Sequence, residues 1–109
     1  MKTAVADIWD IPRHYDVSAI CITTNGIVKH NGAAVMGRGT TLQAKQRIPN
    51  IEYILGSKIK ANGNVVQELC LFEDPNHTFK VPIVAFPVKV DWRQKADLTL
   101  IERSCLELM

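Results

Sequence analysis

Glycines at 26, 32, 37 and 39 gather four of the chain's six into one stretch, between an apolar segment ending in Thr24-Asn25 and a segment able to form a helix. Strand, glycine-rich loop and helix in that order suit a phosphate. Glycine lets the backbone come close, and the free amides and dipole of a helix start favour negative charge. The loop lacks the Gly-Lys-Ser/Thr ending of a Walker A motif and the G-x-G-x-x-G spacing of a dinucleotide turn. On spacing alone a plain turn is the better reading. Lys89, behind a Phe-Pro pair, reads by itself as a solvated lysine at a strand end. Cys21, Cys70 and Cys105 are an odd, scattered set without a CxxC pair, which argues against a disulfide framework or a zinc site. They read as small buried hydrophobes in a reducing cytosol. His14, His30 and His77 lie far apart in polar turns and receive no role, and no metal or cofactor is expected.

The elements that must position these residues follow from pattern. Residues 3–8 and 17–23 read as strands, the second closed by the turn pair Asn25-Gly26. Residues 26–39 have no helical period and read as a long loop, a feature that is usually functional or disordered. A helix over 40–48 stops at Pro49, and Asn50 can cap a second over 51–61 with Ile51, Ile54, Leu55 and Ile59 at helical spacing. Gly56 costs that helix about 1 kcal/mol relative to alanine. Strands over 65–72 and 79–86 follow, with Pro82 suggesting an edge or a bulge. Asp97 then stands as N-cap of a helix whose Leu98, Ile101, Cys105 and Leu108 form one apolar face. Alternating strands and helices point to one α/β domain over 1–109. The 109 residues carry a net charge of +2, 47% hydrophobic and 22% charged, so binding by bulk positive charge is not indicated. No apolar run approaches the roughly 18 residues of a membrane span, and Asp7 interrupts the N-terminal segment too early for a signal core, so the expected location is the cytoplasm.

Two blocks carry a resemblance. Asp7-Ile8, the strand ending in Asn25, and Met36-Gly37-Arg38-Gly39 leading to Leu42-Gln43-Ala44-Lys45 resemble the macrodomain family of ADP-ribose-binding proteins. The likeness is to the branch of DNA ADP-ribosyl glycohydrolase antitoxins and terminal ADP-ribose protein glycohydrolases, where a Met-Gly-x-Gly loop replaces a triple glycine. Residues 86–95, Phe-Pro-Val-Lys-Val-Asp-Trp-Arg-Gln-Lys, are similar to that branch's Phe-Pro-Thr-Lys-x-x-Trp-Arg segment. Short macrodomain-like proteins of bacteria and their phages look more similar still. The resemblance implies a three-layer α/β/α domain with a mixed sheet and an ADP-ribose ligand, free or attached to DNA or protein. Asp7 would accept from the adenine amino group and Ile8 would seat the base. Asn25, with Thr24 beside it, would face the distal ribose, and Met36, Gly37, Arg38, Gly39 and Thr40 would run along the diphosphate and ribose. Lys89 matches the lysine that takes part in cleaving the bond to the ribose anomeric carbon. A desolvated amine can be neutral and attack a carbon of oxocarbenium character, or when protonated it can stabilise developing negative charge.

Departures from the pattern hold two readings open, a hydrolase and a non-catalytic nucleotide-binding module, with an interaction protein on a degraded scaffold as a third. Thr40-Thr41 stands where the family has Ile-Ala, and Val88 where threonine is usual. The family also continues into a further strand and a second glycine-rich loop, so the domain reads as truncated at its C-terminus. The expected consequence is an open sheet edge, covered by a second copy if the short form is natural.

Overall fold

The computed structural model describes Trp9 and residues 18–37, 39–91 and 95–108. The strand expected over 3–8 lies outside the described residues. In the first described strand, β1 (Ile20–Thr24), Ile20, Ile22 and Thr24 are buried while Cys21 and Thr23 are exposed, the alternation of a strand covered on one face. There follow α1 (Gly39–Arg47), α2 (Ile51–Asn62), β2 (Gln67–Glu73), β3 (Lys80–Pro87) and α3 (Leu98–Leu108). The sheet order is β1-β3-β2, with β3 parallel to β1 and antiparallel to β2, so the architecture is mixed α/β with a mixed sheet. Helices α1 and α2 touch each other and pack on β1 and β2, respectively. Between them and the sheet lies one core, in which Ile22, Ile83 and Ala85 of the strands meet Ala44, Ile51 and Leu55 of the helices. No helix among the described residues is long and apolar enough to cross a membrane.

Several details depart from expectation. Proline at 82 suggested an edge or a bulge, yet β3 lies between the other two described strands. It is tolerated because β1 begins opposite Ile83, so at Pro82 the strand pairs only with β2, at Leu71. The register irregularity falls in β2, between Glu68 and Cys70. Asn50 precedes α2 in the left-handed region (φ 64°), and its side chain makes no capping bond; its carbonyl accepts instead from Tyr53 and Ile54. At the other end Gly63 (φ 90°) closes α2 by donating to Ile59 O at 2.8 Å.

The cysteines are not buried together. All three are free, Cys21 and Cys105 exposed and Cys70 half-buried, because Cys21 falls on the uncovered phase of β1 and Cys105 on the outer side of α3. Asp97 does cap α3, its Oδ1 accepting from Thr99 N at 3.0 Å and Leu100 N at 3.2 Å. The buried residues of that helix are Leu100 and Ser104, however, while Leu98 is 74% exposed and Cys105 and Leu108 are also exposed. Polar bonds set this rotation: Ser104 Oγ donates to Pro87 O at 2.7 Å, and Arg103 Nη2 donates to Asn64 O.

Candidate functional site

Because β1 and β3 run parallel, their carboxyl ends, Thr24 and Pro87, lie side by side. The crevice outside the carboxyl ends of parallel strands is the usual ligand position in open α/β sheets. The two chains stay together past the strands: Val88 N donates to Thr24 O at 3.1 Å and Gly26 N to Val90 O at 2.8 Å. Lys89, half-buried, is thereby held alongside Asn25, although the two are far apart in sequence.

The long loop after β1 is less irregular than its composition suggests. Asn25, 8% exposed, clasps its base: Nδ2 donates to Val35 O at 3.2 Å and Oδ1 accepts from Ile27 N at 3.0 Å. Between these points the chain turns back on itself through a bridge between Val28 and Ala34, with Gly32 at φ 89° near the tip. Helix α2 then fixes the excursion, since Ala34 N donates to Glu52 O at 2.8 Å and Gly32 O lies against Gly56. A Cβ on Gly56 would stand 2.0 Å from that carbonyl oxygen. The glycine that looked like a helix penalty is thus a seat for the loop.

Other expected residues take distinct places. Met36 is buried in the core, so only its backbone can face a ligand. Gly37 and Gly39 are exposed, and Gly39 opens α1 at φ 58°. Thr40 is half-buried and Thr41 buried. Thr24 is 4% exposed, and its Oγ1 makes no hydrogen bond to any described residue. A buried hydroxyl without a partner costs about 1–3 kcal/mol, and this one stands on the same covered phase of β1 as Ile20 and Ile22. Asp7, Ile8 and Arg38 lie outside the described residues, as do Trp92 and Arg93. Among the described residues no group of three or more His, Cys, Asp or Glu side chains is placed to hold a metal ion.

One residue of this region had no signal in the sequence beyond its turn setting. Asn64, just past the α2 stop at Gly63, donates from Nδ2 to Lys89 O at 3.3 Å. A Cβ on Gly26 would meet that Nδ2 and Val90 O, each at 3.1 Å, so three segments converge with no room to spare.

By fold and site geometry this is an α/β domain with a glycine-rich loop at the carboxyl ends of two parallel strands. The structural relatives make the class specific. The macrodomain of Mycobacterium tuberculosis DarG superposes with a TM-score of 0.67 at 23% identity, covering 96% of this chain and 62% of that one. The macrodomain of Thermus aquaticus DarG gives 0.56 at 25% identity, covering 88% of this chain and 60% of that one. The fold is that of a macrodomain, near the DarG branch, and the chain spans less than two thirds of either of these domains. No family model and no curated protein matches the sequence.

Proposed function

We propose that this domain binds ADP-ribose, or a related NAD-derived nucleotide, in the crevice at the carboxyl ends of β1 and β3, and removes ADP-ribose from a modified nucleic acid base or protein side chain. The observation that carries this reading is the parallel pairing that sets Lys89 beside the base of the glycine-rich loop. The exposed backbone at Gly37 and Gly39, opening α1, suits the diphosphate. Lys89 then meets the anomeric carbon, either bonding to it as the departing base or side chain takes the electron pair of the glycosidic bond, with water afterwards releasing ADP-ribose from the lysine, or assisting that departure while water attacks directly. Asp7 and Ile8 at the adenine and Arg38 at the phosphates belong to the same reading.

Asn25 favours a second reading, a module that binds without turnover. Both ends of its side-chain amide are engaged within the loop, which leaves less of it for the ribose. Cleavage of an ADP-ribosylated single-stranded oligonucleotide and of an ADP-ribosylated peptide separates the two. With Lys89→Ala the rate is expected to fall by about a hundredfold or more while ADP-ribose affinity stays within several-fold. Unchanged turnover in that variant overturns the role of Lys89, and no heat with ADP-ribose at millimolar concentration overturns both readings. Free cysteines fit a cytoplasmic setting in a bacterium or phage-infected cell. Among the described residues the sheet ends at β1 and β2, and such edges suit pairing with a second copy, which a monomeric sedimentation profile would contradict.

A further inference from the structure

The residues after β3 are not part of a regular strand, yet they must hold Lys89 at a fixed distance from Asn25. Four hydrogen bonds among the described residues do this. Val88 N donates to Thr24 O, Gly26 N to Val90 O, Asp97 N to Val88 O at 2.7 Å, and Asn64 Nδ2 to Lys89 O. Three of the four join backbone to backbone. The fourth comes from a side chain, reaches the peptide carbonyl of Lys89 itself, and originates outside the two parallel strands and the glycine-rich loop.

We infer that Asn64 is a positioning residue that sets the place of Lys89 at the end of β1, with Arg103 of α3 as its anchor. The inference rests on the reading of Lys89 as the reacting amine. Asn64 is seated from two sides. Its Nδ2 packs so closely on Gly26 that a Cβ there would stand 3.1 Å away, and its own carbonyl accepts from Arg103 Nη2. Arg103 is in turn paired with Glu107 one turn further along α3, at 3.5 Å. Helix α3 is tied to the end of β3 as well, through Ser104 and Pro87. The helix therefore supports Lys89 along two routes, one through the strand and one through Asn64. A turn asparagine selected only for backbone conformation would need neither contact.

The test uses Asn64→Asp, which keeps the shape against Gly26 but replaces the donor by an acceptor, and Asn64→Ala, which removes the arm. Single-turnover cleavage of an ADP-ribosylated single-stranded oligonucleotide is expected to slow by about ten- to a hundredfold in both, because a misplacement of about an ångström has effects of that order. The Kd for ADP-ribose stays within about threefold, since the interaction lost acts on the reacting geometry and not on ground-state binding. Amide exchange at Gly26 and Val88 accelerates by about tenfold or more in both variants as the segment loosens. Wild-type cleavage rates in both variants, or parallel loss of affinity and rate with ordinary exchange at those two amides, overturn the inference. If the wild-type protein cleaves no such oligonucleotide, it is the reading of Lys89 that falls. Exchange at Gly26 and Val88 then decides on Asn64 alone: acceleration upholds its grip on the segment, and no change overturns it.

Discussion

The two ends of the sheet handle buried polar groups in opposite ways. At the hairpin between β2 and β3, Asp74 is 2% exposed and densely bonded: Oδ1 accepts from Thr78 N at 2.5 Å and Phe79 N at 3.1 Å, and Oδ2 accepts from Thr78 Oγ1 at 2.5 Å. At the other end, Thr24 is about as deeply buried, and its hydroxyl is bonded to no described residue. A saturated carboxylate closes a turn and has nothing left to offer a ligand. An unsaturated buried hydroxyl holds nothing together and costs stability where it stands.

Substitutions can break or sharpen that contrast. The largest loss of stability is expected from Asp74→Ala, which strands the amides of Thr78 and Phe79. Urea denaturation should show about 3–4 kcal/mol of destabilisation. ADP-ribose binding by the protein that remains folded should be unchanged, and weakened binding would mean that the hairpin end is not purely structural. Gly56→Ala is next, at about 2–3 kcal/mol from forcing a methyl group against Gly32 O. Because it displaces the loop seated on α2, it should weaken ADP-ribose binding as well; calorimetry showing native affinity would detach the loop from the site. Thr24→Val, nearly the same in shape, should stabilise by about 1 kcal/mol in urea denaturation, because it removes a buried hydroxyl that has no bond. Destabilisation by valine would show that the hydroxyl already serves the fold.

The smallest effect lies at the hairpin surface. A hydrogen bond from His77, with Lys80 Nζ at 3.6 Å as a lesser contributor, holds the Glu73 carboxyl below its ordinary range. A carboxylate with a lowered folded-state pKa stabilises above the unfolded value and loses that contribution as pH falls through the folded one. The stability of Glu73→Gln should therefore trail wild type slightly at neutral pH and converge with it on acidification. A gap that persists unchanged in acid would reject the ion-pair origin.

Much of the framework was legible because its signals are local. Asp97 was readable as an N-cap since a cap bonds amides two and three residues away, as its Oδ1 does. The stops at Pro49 and Gly63 and the turn after Glu73 follow from backbone chemistry of the same short range. Burial was harder to read. Leu98, Cys105 and Leu108 share a helical stripe, yet Leu100 and Ser104 face inward because bonds to Pro87 and Asn64, from other elements, set the rotation of α3. Cys21 alternates outward for a similar reason, since the helices cover the phase of β1 that carries Ile20 and Ile22.

The candidate site divides along the same line. The glycine-rich loop, the Phe-Pro-Val-Lys segment and their likeness to macrodomains are properties of the sequence, set by residue types over short spans. Only the tertiary structure decided that Lys89 comes to lie beside Asn25, that Gly56 seats Gly32, and that Asn64 reaches the Lys89 carbonyl. Parallel strands are joined through the rest of the domain and not by a turn, so the contact between their ends depends on sheet order and register, which no local spacing encodes.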